Sequence, residues 1–521
     1  MKKAYVNGKI YTVNNGFVDS FVIEDGKFVE VGSATEFDSF VDLKGRFVTC
    51  GFNDSHMHVL GYGQALEMMN MAVCTDSLSH LLEEMRAYLK NNNSVKWLRG
   101  RGWNHDYFSD VTRMPTREDL DTVSKDVPIV ATRACGHVGV VNSKALEVLG
   151  IDENTMQIEG GSFDVKTGLF RENALGLVYN GIGQASIEDL KGSILKACEA
   201  LNSYGITSAQ TDDFTNHRGN FRDVIEAYNQ LEDEGKLTVK IHEQSQLVNM
   251  EELTDFITNH YHQYQTEMYK SGPLKLLGDG SLGARTAFLT RPYADDPVAN
   301  GISVYTQEQL DEMVGYAYKN GMPSAIHCIG DGMMKMVMKT YKKFGDKKNK
   351  LRNGIVHCQI TDSELLEDFK KYHILPYIQP IFLDYDITMV EGRVGKDLAS
   401  TSYAFKTLYN LGGCGGSDCP VELPNVLHGI QCAVTRRTLK GVGPYVESEA
   451  LSIEEAIKAF TINGAYASFE EDTKGSIEVG KAADFVVLSD NPFEVNENEI
   501  KDIVVLKTYV NGKRVYTREE N

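Results

Sequence analysis

Four histidines and an aspartate stand at the ends of short apolar stretches in this 521-residue chain, where β-strands would stop, and a lysine lies within another such stretch. Asp54-Ser-His56-Met-His58 follows the apolar run Phe47-Val-Thr-Cys-Gly-Phe. Alternate residues on a strand share a face, so His56 and His58 point the same way, and two imidazoles so placed can chelate one metal ion. Lys275 lies in Pro-Leu-Lys-Leu-Leu-Gly-Asp, His327 ends Ser-Ala-Ile-His, His357 ends Gly-Ile-Val-His, and Asp418 ends Gly-Gly-Cys-Gly-Gly-Ser-Asp. His327 and His357 are 30 residues apart, one strand–helix unit, and His357 and Asp418 are 61 apart, two such units. Taken alone, His327 or His357 reads as a core histidine. The whole set at this spacing reads as one site.

Those residues need a scaffold that brings strand ends together. The middle of the chain alternates short apolar strands with helical stretches. Eight candidate strands end in polar residues: 51–58, 206–212, 239–244, 274–279, 324–327, 354–357, 374–379 and 412–418. Eight is the number a closed (β/α)8 barrel needs, and such a barrel collects residues from the C-terminal ends of its strands. A ninth candidate, 128–133, falls in an interval of about 140 residues after the first strand, too long for a loop, which predicts an inserted subdomain. Helix 187–203 leads back to the barrel. Both termini are β-rich: Tyr-Val-Asn-Gly-Lys occurs at 5–9 and again at 509–513, and Asp25-Gly26 sits between alternating apolar residues. Each of these dipeptides predicts a hairpin. The expected α/β architecture is a distorted (β/α)8 TIM barrel (51–65 and 200–474), a small discontinuous β-sandwich domain (1–50 and 475–521) and an inserted α/β subdomain (66–199) near the active-site mouth.

At this point the chain resembles the amidohydrolase superfamily, and within it the amidohydrolase-3 branch that includes N-substituted formamide deformylases. The matching motifs are Gly51-Phe-x-Asp-x-His56-x-His58, Lys275-x-x-x-Asp-Gly-Ser-Leu-Gly-x-Arg285-Thr-Ala, His327-x-x-Gly-Asp331, His357, Gly416-Ser-Asp418-x-Pro420 and the tail Gly475-Ser-Ile-x-x-Gly480-Lys-x-Ala-Asp484. The resemblance implies that His56 and His58 bind a more buried metal and that His327 and His357 bind a more exposed one. It further implies that Lys275, as a carbamate formed with carbon dioxide, bridges the two, and that Asp418 binds metal and acts as general base. A free ammonium beside a dication is electrostatically unfavourable, so Lys275 is expected to be a carbamate with two metals bound and to turn away with one. Imidazoles with a carboxylate suit zinc first, with iron or manganese as alternatives. The implied reaction is hydrolysis of a C–N bond (amide, formamide or related N-acyl group) of a small molecule by metal-activated water. The same site would also serve a deaminase or a cyclic amide or ester hydrolase, and a non-catalytic binding homologue is the remaining alternative.

Substrate-side candidates are less sharply marked. The resemblance covers Arg101-Gly-Trp103-Asn-His105 and Cys135-Gly-His137, and it places His137 at the pocket. Trp103, Asp279, Arg285 and Gln379 are further candidates for substrate contact, each with a packing or turn role as its alternative. Asp54 could orient an imidazole or hold a local turn. Glu172 is a weak candidate, and His105 reads as structural. Cys135 with His137 could form a nucleophile–base pair, but no third orienting residue is evident.

Composition excludes other classes. Fifty-three Lys+Arg against 73 Asp+Glu give a net charge of −20, which disfavours nucleic acid or an anionic membrane as partner. Nine scattered cysteines with no close CxxC pair fit reduced thiols. No apolar run follows the first lysines and none is long enough to span a bilayer. The expectation is therefore a cytoplasmic enzyme, and a homodimer on the strength of the resemblance.

Overall fold

The computed structural model describes residues 1–92, 95–134, 138–158, 161–172, 174–216 and 220–519. They divide into two compact units, Met1–Tyr62 with Ile194–Asn521, and Gly63–Ser193.

The first unit contains a (β/α)8 barrel. Its strands are β1 (Phe52–Met57), β2 (Ile206–Thr211), β3 (Lys240–Gln246), β4 (Tyr269–Leu277), β5 (Ser324–Cys328), β6 (Gly354–His357), β7 (Leu375–Ile378) and β8 (Cys414–Gly415). Each is hydrogen-bonded in parallel to the next in chain order. The ring closes between β8 and β1, where Asp418 donates its N–H to the His56 carbonyl and His58 donates to the Cys419 carbonyl, both at 2.8 Å. β1, β2, β6 and β7 are buried along their whole length, the pattern of a parallel sheet covered on both faces. The chain after β8 passes tightly against β1: a Cβ on Gly416 would lie 2.7 Å from the His56 nitrogen.

The covering helices show the expected stripe. Helix Phe221–Asp233 buries Phe221, Val224, Ile225, Tyr228 and Leu231, and starts at Asn220, whose side chain accepts the Arg222 N–H. Helix Gln307–Lys319 opens with a capping box of Thr306 and Gln309. Helix Ser363–Tyr372 is capped by Asp362 and stops at His373 in the left-handed region. Helix Ile187–Ser203 occupies the predicted range.

Both chain termini build two further sheets. One runs Lys27–Val31, Phe21–Glu24, Lys3–Val6, Ser39–Asp42; the other runs Lys513–Thr517, Val505–Val510, Phe485–Leu488, Phe47–Cys50, Lys9–Tyr11, Phe17–Val18. The second interleaves the two ends of the chain, with Phe485–Leu488 antiparallel to Phe47–Cys50. Tyr5 and Phe21 of one sheet each place a ring 5.1 Å from Phe485 of the other, and Phe485 stacks on Tyr509 at 4.2 Å. These aromatic contacts supply the core of the β region.

The hairpins at Asp25-Gly26 and Asn511-Gly512 form as predicted, with positive φ at both turn residues. The one expected at Asn7-Gly8 does not. Lys3–Val6 and Lys9–Tyr11 belong to different sheets, and of the dipeptide only Asn7 has positive φ. Lys3–Val6 pairs in parallel with Ser39–Asp42, Leu43 donates to the Val6 carbonyl at 2.8 Å, and the Leu43 side chain sits 2.6 Å from where a Gly8 Cβ would be. Long-range pairing overrode the local turn signal, and glycine is required there for close approach instead.

The second unit holds a six-stranded sheet in the order Gly161–Asp164, Leu169–Glu172, Val138–Val141, Ile129–Arg133, Leu98–Trp103, Met69–Asn70. The ninth candidate strand is therefore Ile129–Arg133 of this sheet. Helix Leu78–Asn91 buries Leu78, Leu81, Leu82 and Met85 in an apolar cluster with Trp103 and Leu120. Among the described residues no helix is long and apolar enough to cross a membrane.

Candidate metal centre

The ends of β1 and β8 bring three donors to one point. His56 Nε2 lies 3.3 Å and His58 Nε2 3.2 Å from Asp418 Oδ1, and suitable ligand atoms of the three residues lie within 4.8 Å of one another. The neighbouring strands fix which nitrogen of each ring faces inward. His56 Nδ1 is 2.6 Å from Gln244 Oε1, and the Gln244 amide is oriented by donating its Nε2 to the Ser55 carbonyl at 3.0 Å. His58 Nδ1 is 2.9 Å from the Asp212 carbonyl, which can only accept. Both Nδ1 atoms therefore carry hydrogen, and both Nε2 atoms turn a lone pair toward Asp418 when the rings are neutral.

Asp54 ties the two strands together. Its Oδ1 accepts N–H from His56 at 3.2 Å and from Ser417 at 3.0 Å, and its Oδ2 accepts the Ser417 hydroxyl at 2.6 Å. Asp418 itself sits at φ 59°, so its side chain swings off the strand line toward the histidines.

His357 joins from β6, its φ of 79° turning the ring inward. Its Nε2 is 4.0 Å from Asp418 Oδ2, its ring lies 5.6 Å from His56 and 4.3 Å from His327, and Phe382 stacks on it at 5.7 Å. Both His357 nitrogens are buried without a hydrogen-bond partner. His327 places Nε2 3.2 Å from the Gly280 carbonyl and 3.5 Å from Asp279 Oδ1. Lys275 directs Nζ to Asp212 Oδ2 at 3.0 Å.

Electrostatics separate these groups. Burial pushes His327 down to about 3 and His357 well below the usual imidazole value, so both are neutral at pH 7. Burial also acts against charge on His58, but its hydrogen bond to Asp418 and the charges of Asp212 and Asp418 outweigh it and hold His58 up to about 9. Asp418 is opposed by burial and favoured by hydrogen bonds from His56 and His58, which keep it well below the carboxylate range. Asp418 is thus ionised, and a cation entering here displaces a proton from His58. The donor set fits a divalent metal: inward Nε2 atoms, an ionised carboxylate at common distance, and a buried imidazole with both nitrogens unmet.

The family model for the amidohydrolase family matches residues 39–516. The chain belongs to the amidohydrolase family. A Bacillus subtilis protein named as an amidohydrolase, YtcJ, is 32% identical over 542 residues, covering 99% of this chain and all of that one. N-substituted formamide deformylase of Arthrobacter pascens is 23% identical, covering 98% of each chain. Among solved structures, an uncharacterized metal-dependent hydrolase from Pyrococcus furiosus is 29% identical with a TM-score of 0.80, covering 95% of this chain and 100% of that one. Family and fold together support a metal-dependent hydrolase.

The remaining candidates of this amidohydrolase are placed as follows. Asp279 is fully buried and accepts backbone N–H from Phe288, Ile329 and Gly330 at 2.8–3.0 Å, which pins the loops after β4 and β5 to each other. Burial raises its carboxyl to about 7. Arg285 forms an exposed two-point surface pair with Asp295, its Nη2 at 2.9 Å from Oδ2. Gln379, at the end of β7, is buried with neither amide atom partnered. Trp103 has no exposed surface and belongs to the apolar core of the second unit, the packing role given as its alternative. Glu172 is exposed with φ 48°, and His105 opens a single 3-10 turn, His105–Tyr107. His137 and Cys135 lie outside the described residues. The eight described cysteines are free and buried.

Two positioning residues escaped the sequence reading. Gln244 and Asp212 are the terminal polar residues of two predicted strands, and that position was the available signal. Nothing in the sequence indicated that they would meet His56, His58 and Lys275.

Proposed function

We propose that this protein hydrolyses a C–N bond of an amide, formamide or related N-acyl group in a small molecule, with one cation, zinc by preference, at His56, His58 and Asp418. The carrying observation is the approach of both Nε2 atoms to Asp418 Oδ1 at 3.2–3.3 Å. A divalent ion held by this set supplies Lewis-acid polarisation and lowers the pKa of water toward ~7.

The chain's own residues do the rest. Gln244 and the Asp212 carbonyl hold the two imidazoles in the tautomer that faces inward. Asp418 is ionised at neutral pH, and its Oδ2, 4.0 Å from His357 Nε2, accepts the proton of the attacking water and delivers it to the departing nitrogen. A neutral His357 offers the unpartnered ring nitrogens that can meet the substrate. The family membership, the relative named as a formamide deformylase and the solved metal-dependent hydrolase support this reading.

The test is a screen of N-acyl and N-formyl amines that detects amine, carboxylate and ammonia in parallel, on protein whose metal content is measured. Amine and carboxylate should appear together. His56→Ala and Asp418→Asn should each lower turnover by roughly 10³-fold or more, consistent with loss of the metal and of the general base. Full activity after chelation, or release of ammonia alone, would exclude the proposal.

A further inference from the structure

We propose that the mouth of the barrel beside β6 and β7 binds a positively charged end of the substrate, an ammonium or guanidinium group, through Asp386 Oδ1 and Gln359 Oε1. The molecule hydrolysed is then a cationic N-acyl amine. This deepens the hydrolase reading above and rests on it for the identity of the bound molecule as substrate.

Gln359 lies two residues after His357, and Asp386 closes the helix Leu383–Asp386. That helix follows the turn Pro380–Phe382, whose Phe382 stacks on His357. Both side chains are therefore carried by segments that touch the site. Asp386 Oδ2 accepts two hydrogen bonds, from Gln359 Nε2 at 2.6 Å and from the Tyr403 hydroxyl at 2.7 Å. Tyr403 is held in turn by donating its N–H to the Gln359 carbonyl at 2.9 Å. These bonds fix the carboxylate and the amide side by side and leave one oxygen of each over. Among the described residues Asp386 Oδ1 accepts no hydrogen bond. Gln359 is only 4% exposed, and its Oε1 is buried without a partner.

Asp386 is itself buried, which raises it to about 6 against the pull of Tyr403 and Gln359, so the ionised form prevails at pH 7. No lysine or arginine among the described residues pairs with it. The buried guanidinium of Arg436 donates instead to the carbonyls of Tyr445 and Tyr403, both at 2.9 Å. A buried carboxylate without a counter-ion is costly, and so is a buried acceptor without a donor. One cationic group carrying several N–H donors answers both needs. Two oxygens are too few for a calcium or magnesium ion, which takes about six or more oxygen ligands. Glu422, in the loop after β8, extends the same acidic patch: burial and then the charges of Asp384, Asp386 and Asp418 push it above its ordinary range.

The experiment uses N-acetyl amines of equal chain length that end in ammonium, guanidinium, methyl or carboxylate, and the methanesulfonamides of the same amines, which carry no hydrolysable acyl carbon. On the zinc-loaded full chain, calorimetry measures binding of the sulfonamides and kcat/KM is measured for the N-acetyl series. The cation-ended compounds should bind about 10-fold or more tighter than the methyl-ended one and hold the same advantage in kcat/KM, with the carboxylate-ended compound weakest. Asp386→Asn keeps an acceptor for Tyr403 but removes the charge, and it should bring the ratio of cation-ended to methyl-ended binding within about 2-fold of unity. Cation-ended compounds bound no better than methyl-ended ones would overturn the inference, and turnover of any N-acetyl compound would then leave the hydrolase reading standing. Preferential binding of the cations with no turnover in the series would sink the hydrolase reading and leave the cation site. A preference that survives in folded Asp386→Asn protein would overturn the assignment to Asp386. Should that variant not fold, Glu422→Gln should lower the same ratio by about 2-fold or more, and an unchanged ratio would count against the acidic patch.

Discussion

Both ends of the barrel bury histidine, lysine and carboxylate side chains, and they differ in how those groups are matched. At the N-terminal end, Lys240 meets Asp484 at 2.7 Å and Asn511 at 2.8 Å, Lys270 meets Glu470 at 2.8 Å, and Lys474 pairs with Glu470 and with Ser208 Oγ at 2.6 Å. Every ammonium named there has a carboxylate, from a distant segment for Lys240 and Lys270 and from four residues away for Lys474. At the C-terminal end, one carboxylate, Asp418, faces three imidazoles, and His357 has no partner for either nitrogen. A buried cluster that neutralises itself holds segments together. A cluster of lone pairs converging on one carboxylate is built for a cation that the chain does not supply. Lys275 with Asp212 is the exception within the upper site, a closed pair beside an open one.

The largest effect should come from breaking the closed cluster. Glu470→Ala strands the charges of Lys270 and Lys474 and should cost about 3–5 kcal/mol of stability. Denaturant unfolding measures that loss, while metal content should stay at the wild-type level. A loss under about 1 kcal/mol would mean that the lower network is not a structural clamp.

Next in size is the open site. Gln244→Leu removes the acceptor of His56 Nδ1–H without touching a donor to the metal. Metal affinity should fall about 10–100-fold, read by competition with a chromogenic chelator, and the melting temperature of the metal-free protein should move little. Unchanged affinity would show that β1 and Asp54 alone orient His56.

A smaller effect separates the two ends by pH. Burial disfavours the Glu470 carboxylate, but the charges of Lys474 and Lys270 outweigh burial and hold it below its ordinary range. A carboxyl with a lowered folded pKa contributes stability that is fully present above the unfolded value of about 4.3 and is lost as pH falls below it. Glu470→Gln should therefore flatten the fall of melting temperature between about pH 5 and pH 3. An acid limb as steep as the wild type's would assign acid sensitivity to other carboxylates.

The smallest effect concerns Arg285. Arg285→Ala breaks an exposed pair with Asp295 and should change stability by less than about 1 kcal/mol, with activity unaltered. A large rise in KM in the substrate screen would instead place the loop after β4 in contact with substrate and blur the line between the two kinds of cluster.

Much of this arrangement is legible in the sequence. The eight barrel strands, helix 187–203 and the hairpins at Asp25-Gly26 and Asn511-Gly512 follow from apolar periodicity and turn chemistry, which act within a few residues. His56, His58 and Asp418 stood out because strand ends carrying imidazole or carboxylate recur at barrel spacing. Asn7-Gly8 misled for the opposite reason: its turn signal was sound, but Leu43 and the pairing of Lys3–Val6 with Ser39–Asp42 decided the path of the chain. Arg285 was ambiguous until Asp295 was seen beside it, and Trp103 until its burial was known.

The amino-acid order by itself determined which donor groups exist and that each ends a strand, because side-chain direction along a strand repeats every two residues. Only the tertiary structure decided which donors meet, since His58 and Asp418 touch across 360 positions of sequence. It also decided which imidazole nitrogen faces inward, because Gln244 and Asp212 arrive from other strands to take the Nδ1 hydrogens. The same closure set Asp212 against Lys275. Hydrogen bonds and charge pairs act over a few ångströms, and which groups come within that range is fixed by how the barrel closes rather than by their order along the chain.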